Sequence, residues 1–152
     1  MPAVSEPVAL PHTWRPFGVR VAGVALGASL LLVCALAWFG FDDETRARFT
    51  VFQRLTLVGF GVLAFALWFA LVRSRVVAER ERLVVVNGYR RREYAWAQVV
   101  GVHLPPGAPW VTLDLADGST AVAMGIQGSD GNRARRAVRE LRLAVEQQSS
   151  GA

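Results

Sequence analysis

Two long uncharged runs dominate the hydrophobic pattern in the first half of the chain. The first covers residues 21–41 and the second covers residues 55–72. An α-helix rises about 1.5 Å per residue, so roughly 20 apolar residues cross a hydrocarbon core about 30 Å thick. The first run meets this length, and the second reaches it if residues 49–52 extend it at the interface. Since backbone amides in lipid need internal partners, we expect a transmembrane helical hairpin over residues 19–72.

A cleaved signal peptide is the main alternative for the first run. The apolar core of such a peptide has about 7–15 residues, whereas this run has 21 and follows an extended polar lead. A second run also follows directly. A buried hairpin in a soluble protein fits less well, because neither run has a polar face. We therefore expect a flexible N-terminal lead over residues 1–18, followed by the transmembrane hairpin.

Arginine placement predicts the direction of the hairpin, because cytoplasmic flanks of membrane helices carry an excess of basic residues. Residues 73–82 hold four arginines, whereas the connecting loop over residues 42–54 balances three arginines with three acids. We expect both termini and the C-terminal domain in the cytoplasm, with the hairpin in the plasma membrane. Aromatic side chains are expected at the two interfaces: Trp38, Phe39, Phe49 and Phe52 at the outer one, and Trp14 and Phe17 at the inner one.

Small residues in both runs suggest where helices pack. Gly23 and Gly27 have a G-x-x-x-G spacing, which allows two helices to approach closely. One hypothesis is a dimer seam between two copies of the chain. The other is packing within the hairpin, with Gly59 and Gly61 of the second run receiving the first, or no specific role in a helix rich in glycine and alanine. We favour the second hypothesis, because the motif is a weak pattern.

After residue 72 the pattern changes to short β-rich runs separated by turn signals. The dipeptide Asn87-Gly88 predicts a two-residue hairpin turn, and Asp117-Gly118 predicts a second turn. Large aromatic side chains in such a domain usually lie in the core, so we expect Trp96 and Trp110 to be buried. The pattern predicts six strands, over residues 76–79, 83–86, 89–94, 98–104, 110–115 and 119–124.

An amphipathic helix closes the domain. Ser129 or Asp130 is expected to cap it, and the pattern continues to about Gln147. Two i,i+4 ion pairs are expected on its polar side, Arg136 with Glu140 and Arg142 with Glu146. The apolar stripe consists of Ala134, Ala137, Val138, Leu141, Ala144 and Val145.

Several stretches resemble the bacterial PH domains of actinobacterial membrane proteins, and most closely the group called low-molecular-weight protein antigen 6. They are LVVVNGYRRR from Leu83, YAWAQV from Tyr94, VTLDLADG from Val111, and the helix stripe from Ala134. The resemblance covers about residues 20–147. It implies a membrane α-helical hairpin plus an α+β soluble domain, a PH-like antiparallel barrel of about six strands with a C-terminal helix. That domain would span residues 73–148, with a tail at 149–152.

The amino-acid composition limits the kinds of binding and catalytic site that the chain can form. All 17 basic residues are arginine, and residues 73–152 carry twelve of them against eight acids. Cys34 is the one cysteine, which excludes a disulfide within the chain, and His12 and His103 lie far apart, so no metal site is expected. No nucleophile–base pair, phosphate loop or dinucleotide motif is present. We therefore expect no enzymatic activity, no cofactor and no nucleic-acid partner.

The arginine cluster is the feature most suited to binding by charge. Arg82, Arg90, Arg91 and Arg92 fall on neighbouring strands, and guanidinium groups suit phosphate oxygens. The Asn87-Gly88 turn is too tight to cup a headgroup, and strand alternation places Arg91 on the opposite face from its two neighbours. We favour a solvated basic face that lies near anionic lipid.

These observations favour a non-catalytic adaptor. The hairpin would hold a PH-like domain at the inner face of the bilayer, where it binds a protein partner or self-associates. One alternative is sensing of an anionic lipid headgroup or small ligand through the arginine cluster. Another is an accessory subunit of a membrane enzyme or transporter. The lipid bilayer is a partner under all three hypotheses.

Overall fold

The computed structural model describes residues 8–150 and divides into two compact units. One unit is Gly18–Phe69. The other joins the described residues up to Phe17 with those from Ala70 to residue 150. The chain therefore leaves the second unit after Phe17 and returns to it at Ala70.

The first unit is a helical hairpin. Helix α1 (Gly18–Gly40) and helix α3 (Val51–Arg73) each have 23 residues and are long and apolar enough to cross a membrane. No residue of either helix is buried in the isolated chain, so the apolar side chains are available to hydrocarbon. The prediction of two such helices is confirmed, and α3 begins at Val51, where the aromatic extension was expected.

Polar caps define the connection between these helices. The short helix α2 (Asp43–Arg48) is capped by Asp42, whose carboxylate accepts a hydrogen bond from the backbone of Thr45 at 2.6 Å. Thr50 and Gln53 form a capping box at the start of α3, each side chain accepting from the other residue's backbone N–H. These caps satisfy amide groups that the first turn of a helix leaves unpaired.

The second unit contains seven strands among the described residues, arranged in two antiparallel sheets. The first sheet has the order β1-β2-β3-β4 and the second has the order β5-β6-β7. A 3₁₀ turn at Trp96–Gln98 carries the chain from one sheet to the other. The strands are β1 (His12–Trp14), β2 (Arg75–Ala78), β3 (Arg82–Asn87), β4 (Arg90–Ala95), β5 (Val99–His103), β6 (Trp110–Leu115) and β7 (Thr120–Gln127).

The two sheets form a PH-like fold with a C-terminal helix, as predicted, but the barrel is not closed. β4 and β7 are not hydrogen-bonded to one another. The sheets are joined instead through Asn87 at the end of β3. Its side-chain amide donates to Val122 O at 2.6 Å and accepts from Met124 N at 2.9 Å. The Asn87 side chain thus forms two hydrogen bonds with the backbone of β7, as a neighbouring strand would.

The prediction of a flexible lead over residues 1–18 is wrong for residues 12–14. His12–Trp14 forms β1, which pairs antiparallel with β2 and places Trp14 opposite Val76. Trp14 is only 6% exposed and belongs to the core, so its expected place at the membrane interface is also wrong. The physical reason is that β2 would otherwise have an open edge beside an unfilled core. Residues 1–7 of the predicted lead lie outside the described part of the chain.

The first hairpin turn is shifted by one residue from the prediction. Asn87 is the last residue of β3 and pairs with Arg90, so the two turn residues are Gly88 and Tyr89. Gly88 has a φ of 60°, which fits the first central position of a type II′ turn. The shift frees the Asn87 side chain from the turn and directs it to β7.

Helix α4 (Asn132–Ser150) packs its predicted apolar stripe onto the core. It starts slightly later than expected, because Gly128–Asp130 forms a separate 3₁₀ turn. The two expected i,i+4 ion pairs do not form. Glu140 accepts a hydrogen bond from Trp14, and Arg142 donates to the carbonyl of Val102 on the edge strand β5. Tertiary partners are therefore preferred over the weak pairs along the helix.

Candidate functional site

The four arginines predicted to contact lipid or a partner fall on two faces of the first sheet. Arg92 lies opposite Val85 in the pairing of β3 with β4, and Arg91 lies opposite Val86. Since successive side chains point to opposite faces, Arg91 is separated from Arg90 and Arg92. The structure has the alternation expected from the sequence.

Arg82 and Arg91 are held by carboxylates. Arg82 Nε lies 2.8 Å from Glu79 Oε2, and its Nη1 lies 2.7 Å from Glu93 Oε2. Arg91 Nη2 lies 2.6 Å from the other oxygen of Glu93. The hydrogen bond to Glu79, followed by the charge of Glu93, raises the pKa of the Arg82 guanidinium. These two arginines share their charge with acids already and are poorly suited to hold an anion.

Arg90 and Arg92 border the opening between β4 and the start of β7. Tyr94 and Thr120 line the same cleft, which has a volume of about 230 Å³. Neither arginine side chain forms an ion pair with any other residue in the range 8–150. The part of the predicted cluster that remains available for an anion is therefore Arg90 with Arg92.

A histidine–carboxylate pair lies on the second sheet. His103 Nε2 is 2.5 Å from Asp114 Oδ2, and both side chains are about half exposed. The pair lies over Gly101, where an added Cβ would come within 2.7 Å of the Asp114 oxygen. The sequence did not indicate this pair, since the two residues are on different strands and only the register β5–β6 brings them together.

The two tryptophans that the sequence predicted to be buried, Trp96 and Trp110, differ in burial. Trp96 is 6% exposed, belongs to the core, and donates from Nε1 to Glu79 O at 3.1 Å. Its predicted burial is confirmed. Trp110 is half-buried and is not part of the core cluster. It begins β6, in which the buried residues Val111 and Leu113 alternate with partly exposed ones, beside an irregularity in the β6–β7 register.

Comparisons with known proteins identify a family and relatives that this chain resembles. The family described as bacterial PH domain matches residues 73–144. Three curated proteins, from Mycobacterium bovis and from two strains of Mycobacterium tuberculosis, are each 31% identical over 135 residues. Each alignment covers 87% of this chain and 83% of the relative, and each relative's printed name describes an uncharacterized protein. The chain belongs to the bacterial PH-domain family. No solved structure gives a significant match.

The helical hairpin of this bacterial PH-domain protein is packed through Gly23. An added Cβ at Gly23 would overlap the indole of Trp68, whose Nε1 donates to Val19 O at 3.3 Å. The second helix therefore receives Gly23, but through Trp68 rather than through the predicted glycines. Nothing lies within 4 Å of a Cβ built at three other positions, Gly27, Gly59 and Gly61.

The exit from β1 is fixed to helix α4 in this PH-domain protein. The backbone N–H of Phe17 donates to Asp130 Oδ2 at 2.9 Å. The guanidinium of Arg133 lies over the Phe17 ring, 4.1 Å from its centroid, an arrangement that favours a cation. Sequence reasoning missed this junction because it treated Phe17 as part of an unstructured lead.

Among residues 8–150, no group of three or more His, Cys, Asp or Glu side chains is placed to hold a metal ion. The His103–Asp114 pair supplies only two ligands.

Proposed function

We propose that this bacterial PH-domain protein is a non-catalytic adaptor, anchored in the plasma membrane by its helical hairpin. The PH-like domain and both termini lie on the cytoplasmic side. There the domain binds a protein partner or joins an assembly. An arrangement of this kind gives a binding domain a fixed place at the membrane without any chemistry of its own.

The observation that carries this proposal is that the segments that lead into and out of the hairpin are short and are built into the domain. Only Ser74 separates α3 from β2, and this residue is buried. Its hydroxyl donates to Ala70 O at 3.1 Å and accepts from Gly88 N at 2.8 Å. On the other side, Pro16 is buried within the three-residue connection from Trp14 to α1. Each connection is therefore short and contains a buried residue, which supports a domain that stays close along the chain to its membrane anchor.

The β1–β2 pairing supports a common side for both flanks. Trp14 lies opposite Val76 in one sheet, so the segments before α1 and after α3 are folded together. A chain that crosses the bilayer twice returns to the side from which it started. The arginine excess after α3 favours the cytoplasm as that side.

A surface for a protein partner is offered by two exposed apolar side chains. Tyr89 is 64% exposed and Val122 is 43% exposed. The bond from the Asn87 side chain to Val122 O brings the turn that carries Tyr89 beside β7. Exposed tyrosines are frequent in protein interfaces.

The test is site-specific photocrosslinking of the full chain in native membranes. A photoreactive residue replaces Tyr89 or Val122 in two variants, and Ala116, which is also exposed, in a control variant. We expect a discrete crosslinked species from the first two positions and not from the control. If all three positions yield no partner and no self-association, the adaptor proposal is wrong. A partner that co-purifies in fixed stoichiometry and is itself a membrane enzyme or transporter would favour the accessory-subunit hypothesis.

A second candidate function is recognition of a small anionic ligand between Arg90 and Arg92. It is favoured by the open cleft beside Thr120 and by the lack of an ion pair at either arginine among residues 8–150. Binding of soluble anions to the full chain in detergent would test it. The full chain is needed because a fragment beginning at residue 73 lacks β1. Arg90→Gln with Arg92→Gln should abolish binding, whereas Arg91→Gln, which removes an arginine already paired with Glu93, should not.

A further inference from the structure

A cavity of about 610 Å³ lies where β1 leaves the sheet and passes helix α4. It is bordered by β1 and the segment that follows it, by β7, and by the first two turns of α4. Its volume is in the usual range for pockets that hold small molecules or headgroups. The lining side chains used below are Trp14, Arg15, Phe17, Arg133, Arg136 and Glu140.

Three arginines converge on this cavity. The side chains of Arg15 and Arg136 form no ion pair or hydrogen bond with other residues in the range 8–150. Arg133 is positioned by the ring of Phe17. Guanidinium groups bind phosphate oxygens through paired N–H donors. The cationic side chains around the cavity are thus available to an anion.

The acids that face the same space are already engaged by donors. Glu140 Oε2 accepts from Trp14 Nε1 at 2.9 Å and lies 3.8 Å from His12 Nε2. Asp130 Oδ2 accepts from the backbone of Phe17 at 2.9 Å. Each carboxylate therefore has a structural partner in β1 or in the segment after it. In contrast, neither of these two carboxylates forms an ion pair with any of the three arginines.

The position of the cavity along the chain points to the source of the anion. Phe17 lines it, and the next residue, Gly18, begins the first of the two long apolar helices. If that helix enters the bilayer, the cavity lies within a few residues of the lipid headgroups.

We propose that this cavity binds the phosphate group of an anionic membrane lipid through Arg15, Arg133 and Arg136. The proposal rests on the membrane anchoring stated above. It concerns a site separate from the cleft at Arg90 and Arg92. A bound headgroup at this point would join the exit of β1 to helix α4.

The test is native mass spectrometry of the purified full chain in detergent, titrated with phosphatidylglycerol or with phosphatidylcholine. We expect selective retention of phosphatidylglycerol. Changing both Arg15→Gln and Arg136→Gln should weaken that binding by about tenfold or more, since each removes a charge-assisted hydrogen bond. The matched control, Arg135→Gln with Arg139→Gln, removes the same charge from two exposed positions of α4 that do not line the cavity, and should leave binding within about twofold.

Equal losses in the two double variants would overturn the proposal, because they would show only general attraction to a basic surface. Retention of both lipids to the same extent would overturn it as well. If glycerol 3-phosphate or inorganic phosphate bound as tightly as the lipid, the inference that the phosphate group belongs to a lipid would be overturned. Arg15→Lys with Arg136→Lys keeps the charge and should restore part of the selectivity. Since the test uses purified chain in detergent, its failure is distinguishable from failure of the photocrosslinking.

Discussion

The indole Nε1 of Trp14 donates a hydrogen bond to Glu140 Oε2 at 2.9 Å and so joins residues 126 positions apart. The bond connects the strand before the first long helix with the last helix of the chain. It shows that the PH-like domain is assembled from both sides of the hairpin. The hairpin is thus an insertion within the domain's sequence, between β1 and β2.

Trp14 should contribute strongly to the stability of the folded PH-like domain. Trp14→Ala removes a buried aromatic side chain and its hydrogen bond, and should lower the free energy of unfolding by about 3–5 kcal/mol. Calorimetry of the full chain in detergent would measure the loss. Thr13→Ala, on the exposed side of the same strand, is the control and should have little effect. A stability loss for Trp14→Ala no larger than for Thr13→Ala would show that β1 is not part of the folded domain.

Asn87 should be required for the connection between the two sheets. Asn87→Ala removes its bonds to Val122 O and Met124 N, at a cost of about 1–3 kcal/mol, because a backbone N–H loses its partner. Hydrogen exchange should accelerate at the Met124 amide. Thr120→Ala changes an exposed residue on β7, the strand that contains Met124, and should leave the Met124 amide protected. Unchanged exchange in Asn87→Ala would mean that the side-chain bridge does not hold β7.

Gly23 should be the sensitive glycine of the hairpin. Gly23→Ala places a methyl group against the Trp68 indole and should lower the thermal stability of the helical unit. Gly27→Ala meets no atom within 4 Å and serves as the control. Trp68→Leu should restore stability to the Gly23→Ala variant by making room. Equal sensitivity at Gly23 and Gly27 would instead favour a seam between two copies of the chain.

Asp117 should titrate below the usual range of an aspartate. Its carboxylate accepts from Ser119 Oγ at 2.7 Å and from Ser119 N at 2.9 Å, and these bonds lower its pKa. The resulting stabilisation is fully present above the ordinary pKa of about 3.9 and is lost as the pH falls through the lowered value. Ser119→Ala should raise the pKa of Asp117 toward its ordinary value in an NMR titration. An identical titration in both proteins would rule out this cause.

The sequence predicts most of the regular structure because local patterns carry it. The length of the two apolar runs, the turn signals that bound six of the seven strands in the described range, and the helical period of the stripe on α4 are all local features of the sequence. The resemblance to bacterial PH domains was also correct. These features depend on neighbouring residues, and their boundaries differ from the structure by only a few positions.

What the sequence did not indicate depends on residues far apart in the chain. The three residues of β1 are too few to show a period, and they form a strand only because β2 has an open edge. Glu140 was assigned to Arg136 along the helix, but Trp14 reaches it from β1. Strand alternation separated Arg91 from Arg90 and Arg92, but it did not indicate that Glu93 pairs with both Arg82 and Arg91. Each difference comes from a tertiary contact that competes with a local rule.

The most direct test of the central claim, a membrane hairpin with its PH-like domain in the cytoplasm, is thiol labelling in intact cells. Cys34 is first replaced by serine, and single cysteines are introduced as Ala47→Cys between the helices and Ala116→Cys in the domain. A membrane-impermeant reagent should label the first in intact cells, and the second only after the membrane is opened. Labelling of Ala116→Cys in intact cells, or recovery of the chain in the soluble fraction without detergent, would contradict the account.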